Sequence, residues 1–170
     1  MFLRAAFRRA IPLLAVAAAL AIPATTMAAT VGGTARGEWL YGTARADTVH
    51  GRGGNDHIDG RAGNDTLYGD AGADLIWGGA GNDTIHGGAG PDQLWGGGGT
   101  DTINGGDGND RIWGGAGTDT VNGGNGNDVI RVGYDGAADT VACGDGADTV
   151  YAGPTDTVAA DCETVIAVGS

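Results

Sequence analysis

An aliphatic residue recurs every nine residues through most of the chain, and an acidic residue stands two places before each one. Glycines fill most of the positions between, so every phrase ends in a short acid-x-aliphatic segment. Such a segment predicts a brief β-strand whose successive side chains point to opposite faces. If the aliphatic residue, eighth in the phrase, points inward, the seventh and ninth residues point outward. The predicted interior is Leu40, Val49, Ile58, Leu67, Ile76, Ile85, Leu94, Ile103, Ile112, Val121 and Ile130.

Nine consecutive copies of the nine-residue phrase occupy residues 51–131, from GRGGNDHID to GGNGNDVIR, without an insertion or deletion. This segment is therefore the predicted body of the fold. Two imperfect copies precede it within residues 30–50, and they carry Arg36 and Arg45 where the fourth-place glycine belongs. Terminal copies of a repeat array are commonly atypical because one side has no neighbour to stack on. We interpret residues 30–50 as degenerate capping repeats.

A second period, of eighteen residues, runs through the same segment. Threonine takes the seventh place in alternate copies, and tryptophan takes the ninth place in three of the copies between them. Alternate copies therefore share an environment. The simplest geometry is a flattened right-handed coil of two copies, with odd copies in one parallel sheet and even copies in the other. The two sets are Thr48, Thr66, Thr84, Thr102 and Thr120, and Trp77, Trp95 and Trp113.

The phrase matches the pattern G-G-x-G-x-D-x-U-x, where U is aliphatic, and the chain resembles the repeat-in-toxin (RTX) family of hemolysin-type calcium-binding repeats. The resemblance implies an all-β fold, a right-handed parallel β-roll, with several Ca²⁺ ions bound between the turns of successive coils. Each sixth-place aspartate would offer one oxygen to the ion above and another to the ion below, and carbonyls of the turn glycines would complete the shell. The implied ligands are Asp56, Asp74, Asp92, Asp110 and Asp128 on one edge, Asp65, Asp83, Asp101 and Asp119 on the other, and the carbonyls of Gly60, Gly69, Gly78, Gly87, Gly96, Gly105, Gly114 and Gly123.

Calcium binding and folding are expected to be one event. Aspartate also favours turns for its own sake, but the sixth place is never Asn or Ser, which favours a ligand role. Without a cation, stacked carboxylates repel by ~1 kcal/mol per close pair in water. The glycine-rich interior is thin, so the metal-free chain is predicted to be largely unfolded. We expect affinities of roughly 10⁻⁴ to 10⁻³ M, and weak or absent sites in residues 30–50.

Residues 1–29 have the charged, hydrophobic and small-residue layout of a secretory signal peptide. The apolar run Ile11–Ile22 is too short to span a bilayer. We expect cleavage near Ala28 or Ala29 and a secreted, extracellular protein. The general secretory route and the twin-arginine route both stay open, because Arg8 and its neighbours fit the twin-arginine motif only partly.

The charge that remains after the leader is strongly negative. Removing the leader takes away three of nine basic residues and none of the 21 acids, which moves the net charge from −12 to −15. Nucleic acids and anionic membranes both need a basic footprint, so neither is expected as a partner. Calcium ions are the natural partner.

Beyond residue 131 the acid-x-aliphatic ending persists, while the lead-ins vary in length and lose most of their glycines. Residues 132–170 are interpreted as irregular terminal repeats and a cap. Cys143 and Cys162 lie nineteen residues apart, close to one coil. Because an exported chain meets an oxidising environment, we predict that they form a disulfide. A loop of this length contributes about 3 kcal/mol to stability.

No catalytic residue is predicted. Outside the leader the sole serine is Ser170 and lysine is absent, so nucleophilic catalysis lacks a group once the cysteines are paired. His50 and His86 fall on one predicted sheet and His57 on the other, which does not allow a metal-binding triad. We expect a non-enzymatic protein.

Two outward columns are candidate binding surfaces. Trp77, Trp95 and Trp113 form a candidate ligand strip for a glycan or a cell-surface partner, although stacked aromatics also stabilise a sheet by themselves. The threonine column resembles ice-binding surfaces, and strand propensity explains it equally well. The predicted function is a secreted calcium-binding protein that folds on Ca²⁺ and acts as a structural or adhesive module, with glycan or surface binding as the alternative. The partner, surface attachment and oligomeric state stay open.

Overall fold

The computed structural model describes residues 28–169, which form sixteen short β-strands and no helix. Most of the predicted leader lies outside the described residues. The strands are β1 Thr30–Gly32, β2 Trp39–Tyr41, β3 Thr48–His50, β4 His57–Asp59, β5 Thr66–Ala71, β6 Leu75–Ala80, β7 Thr84–Ala89, β8 Gln93–Gly98, β9 Thr102–Asp107, β10 Arg111–Ala116, β11 Thr120–Asn125, β12 Val129–Arg131, β13 Thr140–Asp145, β14 Thr149–Ala152, β15 Thr157–Val158 and β16 Thr164–Ala167.

The strands build two parallel sheets that face each other. Odd-numbered strands form one eight-stranded sheet and even-numbered strands form the other, each in chain order. We call these the odd sheet and the even sheet. Each coil adds one strand to each sheet, so two repeats make one coil. The predicted all-β parallel roll with two repeats per coil is confirmed.

The register is set by the eighteen-residue period. Ile58 pairs with Ile76, and Ile76 pairs with Leu94, so an aliphatic residue always stacks on the aliphatic residue of the next coil. A slip of one residue would turn this whole set outward, since side chains alternate along a strand. The aliphatic column therefore fixes the alignment of each coil on the last.

The hydrophobic core lies between the two sheets and consists of one column of aliphatic side chains from each sheet. All eleven predicted interior residues are buried, and Leu40, at 8% the most exposed of them, lies near the N-terminal end. The core continues past the regular repeats through Val132, Val141, Cys143, Val150 and Ala152. The interior was thus predicted correctly within the repeats and underestimated beyond them.

The turns depend on glycine where the backbone enters the left-handed region. Gly81, in the fourth place of its repeat, has φ +134°, and a Cβ there would collide with the carbonyl oxygen of Gly63 in the preceding coil. The second place also has positive φ, and Arg52, Arg61 and Asp70 adopt it at 76°, 76° and 71°. Non-glycine residues are uncommon in this region, so these three copies carry backbone strain that later copies avoid with glycine.

The C-terminal coils are irregular and covalently tied. β15 has two residues, and β16 is exposed at all four positions. Cys143, buried in β13, forms the predicted disulfide with Cys162, with Cα atoms 5.2 Å apart. None of the described residues belongs to a helix long and apolar enough to cross a membrane.

Replacing Gly81 with alanine tests the close contact between coils. We expect Gly81→Ala to lower the free energy of unfolding in calcium by more than about 1 kcal/mol, because the left-handed backbone and the Gly63 carbonyl both oppose a Cβ. The control is Gly98→Ala, which has open space at its Cβ position and pairs with Ala80 and Ala116. Thermal unfolding followed by circular dichroism should show a loss for the first variant alone, and equal losses would contradict this account of the turn.

Candidate metal centre

The sixth-place aspartates form two buried columns, one at the entrance to each sheet. Each residue directly precedes a strand, so its side chain enters the turn that leads into that strand. All twelve are at most 3% exposed. The column beside the odd sheet is Asp47, Asp65, Asp83, Asp101, Asp119 and Asp139, and the column beside the even sheet is Asp56, Asp74, Asp92, Asp110, Asp128 and Asp148.

One oxygen of each carboxylate ties two coils together. The backbone N–H of Asp74 donates to Oδ1 of Asp92 at 2.8 Å, and the N–H of Asp92 donates to Oδ1 of Asp110 at 2.8 Å. The same bond runs along the odd column, where the N–H of Asp83 donates to Oδ1 of Asp101 at 2.8 Å. Each column aspartate therefore receives a hydrogen bond from the residue one coil earlier, which is an aspartate except for the first member of each column, where Ala29 and Glu38 donate to Asp47 and Asp56.

The second oxygen has no such partner. Within the described residues, eleven aspartates have a buried Oδ2 that accepts no hydrogen bond. A buried, unpaired carboxylate oxygen is costly, because it has lost water and gained nothing in return. The atoms are Oδ2 of Asp56, Asp65, Asp74, Asp83, Asp92, Asp101, Asp110, Asp119, Asp128, Asp139 and Asp148.

The first-place glycines bring backbone carbonyls beside these oxygens. A Cβ placed on Gly60 would lie 2.6 Å from Oδ2 of Asp65 and 2.5 Å from the carbonyl oxygen of Gly78. At Gly69 the corresponding atoms are Oδ2 of Asp74 and the carbonyl oxygen of Gly87, each at 2.5 Å. The carbonyl oxygens of all eight predicted glycines face the preceding coil in this way, and all but that of Gly60 lie near an unpaired aspartate Oδ2. The Gly60 carbonyl lies near the hydrogen-bonded Oδ2 of Asp47. The glycines are Gly60, Gly69, Gly78, Gly87, Gly96, Gly105, Gly114 and Gly123.

This donor set fits calcium. Ca²⁺ takes six to eight hard oxygen ligands, both carboxylate and carbonyl, and both kinds converge at the unpaired oxygens. Nowhere in residues 28–169 do three or more His, Cys, Asp or Glu side chains gather into a cluster that could hold a metal by themselves. Backbone oxygens are therefore a necessary part of any site here.

Burial raises the pKa of the eleven column aspartates whose Oδ2 is unpaired. Desolvation is the largest cause throughout, and it outweighs the hydrogen bond from the neighbouring backbone N–H, which lowers the pKa. Carboxylates one coil away, such as Asp110 and Asp74 beside Asp92, raise it further. The pKa reaches about 7 for Asp92 and Asp119, and about 6 for Asp65, Asp74, Asp101, Asp110 and Asp128. A bound cation would favour the charged form that burial opposes.

The N-terminal copies satisfy their acids differently. Thr43 donates its backbone N–H and its hydroxyl to Oδ2 of Asp47, the oxygen that is unpaired in later copies. Thr34 donates in the same way to the carboxylate of Glu38, and these bonds lower the Glu38 pKa. Second-place threonine thus supplies donors where the regular repeats have none, which fits the predicted weak or absent metal sites of residues 30–50.

Besides Asp47, two column members were not among the predicted ligands. Asp139 and Asp148 are buried, accept the same backbone hydrogen bond and leave the same Oδ2 unpaired. The signal available in the sequence was the Asp-Thr-Val ending, but each lies twenty residues after its column neighbour instead of eighteen. In this region the carbonyl oxygen of Cys143 replaces a first-place glycine carbonyl beside the Asp128 carboxylate.

The other predicted residues are also placed by the structure. Trp77, Trp95 and Trp113 lie side by side on the outer face of the even sheet. His50 and His86 lie on the odd sheet and His57 on the even sheet, as expected.

Fold and site together define a nonapeptide β-solenoid in which carboxylate and carbonyl oxygens lie near each other from coil to coil through the regular repeats. The model of the RTX calcium-binding nonapeptide repeat matches this chain in four copies, at residues 32–67, 59–94, 95–130 and 135–156. The chain belongs to this family, whose repeats bind Ca²⁺. No curated protein matches it in sequence.

Acidification should partly replace calcium in the metal-free chain. The folded-state pKa of about 6 to 7 lies above the ordinary value near 3.9 for an unfolded aspartate. The folded state therefore binds more protons, so this contribution to stability is full below the unfolded pKa and is lost as pH rises through the folded pKa. In chelator, circular dichroism should show more β-sheet at about pH 4.5 than at about pH 7.5. Equal sheet content at both pH values would contradict the raised pKa.

Proposed function

We propose that this chain is a secreted calcium-binding repeat protein that folds on Ca²⁺ binding and acts as a non-enzymatic structural or adhesive module outside the cell. The observation that carries this proposal is the set of eleven buried aspartate Oδ2 atoms without a hydrogen-bond donor. Their regular stacking gives the roll a repeated need for a cation. Family membership gives the identity of that cation as calcium.

The two oxygens of each predicted aspartate ligand have different roles. In this assignment Oδ2 of the column aspartates, from Asp56 to Asp128, holds the ion with the first-place glycine carbonyls. Asp139, Asp148 and the Cys143 carbonyl extend the set. Oδ1 stays hydrogen-bonded to a backbone N–H of the preceding coil and so orients each carboxylate. This role replaces the second ligand role expected of the carboxylate from the sequence. Calcium supplies positive charge and open coordination positions for oxygens that would otherwise be buried unpaired.

Calcium binding is coupled to folding because the hydrophobic core alone stabilises the roll weakly. The core is one aliphatic column per sheet, which buries little apolar surface for so many glycines. Two columns of buried carboxylates destabilise the folded chain, because burial disfavours their charged form. Ligand binding to the folded state alone stabilises that state by mass action, so calcium decides whether the roll forms.

Secretion rests on features of the sequence and is supported by the disulfide. Residues 1–29 have a signal-peptide layout, and the Cys143–Cys162 bond is of a kind that persists in oxidising compartments. The calcium affinity expected of extracellular modules, roughly 10⁻⁴ to 10⁻³ M, suits this location.

We assign the tryptophan strip a structural role rather than glycan binding. The ring centroids of Trp77 and Trp95 are 5.2 Å apart, and those of Trp95 and Trp113 are 4.5 Å apart, with planes within 12° and 3° of parallel. Stacked rings cover each other's faces, which are the surfaces that a sugar would need. The stacking itself stabilises adjacent strands.

The threonine column receives the same assignment. It extends in register from Thr30 to Thr157 along the odd sheet. The neighbouring outward column changes from His50 to Tyr68, His86 and Asn104. The odd sheet therefore presents one uniform column beside a varied one, which favours strand stability over ice binding as the role of the threonines.

A calcium titration of the secreted chain tests the proposal. We expect isothermal calorimetry to show uptake of several ions, with a change from coil to β-sheet in the circular dichroism recorded alongside. Asp92→Asn should weaken this uptake, because it removes a ligand oxygen and a charge from the middle of a column. Asp107→Asn is the matched control, since Asp107 is exposed and lies outside both columns.

Two results would count against the proposal. A chain that is folded in chelator and ignores calcium would mean that the aspartates only shape turns. Equal weakening by Asp92→Asn and Asp107→Asn would mean that calcium responds to overall charge and not to the buried columns.

A further inference from the structure

The outer face of the even sheet carries one continuous column of ninth-place side chains. In-register pairing stacks them one coil apart. Because the three tryptophans cover one another, ring faces are available only where the column is interrupted. Between Tyr41 and Tyr151 there are two interruptions, Asp59 and Arg131. The column runs Tyr41, Asp59, Trp77, Trp95, Trp113, Arg131 and Tyr151, and it ends at Ile166.

The interruption at Arg131 is filled by its own side chain. The guanidinium carbon lies 5.8 Å from the centroid of the Trp113 ring and 4.7 Å from that of Tyr151. Both distances are within the ~6 Å reach of a cation–π contact. A planar cation therefore fits at one position of this column, between the aromatic rings of the strands on either side.

The interruption at Asp59 is covered only in part, by the Arg61 guanidinium over the Tyr41 ring. The Asp59 side chain is short, and it leaves a notch of about 460 Å³ between Tyr41 and Trp77. Within residues 28–169, the Asp59 carboxylate accepts no hydrogen bond and makes no ion pair. The notch is lined by Trp39, Tyr41, His57, Asp59, Trp77 and Gly79.

We propose that this notch binds an organic cation, a guanidinium or substituted ammonium group, between Tyr41 and Trp77 with Asp59 as its counter-ion. The strands that carry the two rings are two strand spacings apart in the sheet, or about 9.6 Å. A cation held level with the strand between them therefore comes within cation–π reach of both rings, which is ~6 Å. Asp59 supplies the opposite charge at the same position of the column. The net charge of −12 attracts cations to the surface, which favours a charged guest over a neutral sugar.

The side wall of the notch is also aromatic. The rings of Trp39 and His57 stack with centroids 4.1 Å apart, and Trp39 is 63% exposed. These two rings close one side of the notch beside Asp59, and the side that faces away from the sheet is open to solvent. The guest therefore enters from the face of the sheet, as a side chain of a protein partner or a free small cation would.

Arg61 is an intramolecular competitor for part of this site. Its guanidinium carbon lies 5.1 Å from the centroid of the Tyr41 ring, although Arg61 does not line the notch. This contact shows that the exposed Tyr41 ring attracts a guanidinium. Removing the Arg61 charge should therefore strengthen binding of a cationic guest.

The test is a titration of the calcium-loaded chain followed by NMR of the tryptophan indole N–H groups. The probes are an arginine-containing tripeptide, tetramethylammonium chloride and neutral methyl glucoside, each at constant ionic strength. We expect saturable shifts centred on Trp77 with at least one cation and none with the glucoside. Binding of the tripeptide alone points to a protein side chain, and binding of both cations points to a small-molecule source as well.

The variants separate this site from general charge effects. Asp59→Asn should weaken binding at least fivefold, and Arg61→Gln should tighten it. Trp77→Ala should abolish binding, which for this variant is followed at the indole N–H of Trp39, because Trp39 also lines the notch. Trp113→Ala, at the far end of the stacked rings, is the matched control and should leave the affinity unchanged, with circular dichroism confirming that each variant folds in calcium. The proposal is overturned if no cation gives saturable shifts at Trp77, if the glucoside binds as well as the cations, or if Arg61→Gln weakens binding.

Discussion

The roll depends on a carboxylate that is buried at every coil and satisfied on one oxygen only. Oδ1 of each column aspartate accepts a backbone N–H from the coil before, as Asp92 does from Asp74 at 2.8 Å. That bond aligns the coils, yet it requires the carboxylate to leave water. The cost of the unpaired Oδ2 is then repeated along the solenoid, while the aliphatic column adds only one side chain per strand. Stability therefore depends on what meets Oδ2, whether a cation, a proton or a donor from the chain.

The two ends of the solenoid are stabilised by groups that the regular repeats lack. At the N-terminal end, Thr43 gives Asp47 the donors that the regular repeats lack. At the C-terminal end, where the spacing lengthens and glycines are lost, the Cys143–Cys162 bond fastens the last coils covalently. The carboxylates in the middle have like-charged neighbours on both sides, as Asp92 has in Asp74 and Asp110. The regular repeats between the ends contain neither of these groups, and their Oδ2 atoms stay unpaired.

Most of the fold could be predicted because a parallel in-register solenoid converts sequence period directly into spatial position. The period of nine gave the strands and the core, and the period of eighteen gave the sheet to which each strand belongs. Asp139 and Asp148 were missed as site residues because their column spacing of twenty breaks that conversion. The donors at Thr34 and Thr43 were missed for another reason, since a hydrogen bond between second-place and sixth-place residues depends on the turn conformation and not on periodicity.

Because sequence period becomes spatial position, the sequence also determines where the surface differs chemically from coil to coil. In a stacked column each side chain covers its neighbour, so repetition removes ring faces and polar atoms from contact with solvent, as the 4.5 Å stacking of Trp95 on Trp113 shows. Only a residue that breaks the column exposes the rings on either side of it. Arg131 breaks the column and covers those rings with its own charge, whereas Asp59 breaks it and leaves a notch. In a repeat protein of this kind, the residues that interrupt a column are therefore the first candidates for a ligand-binding site, because the repeated residues cover one another.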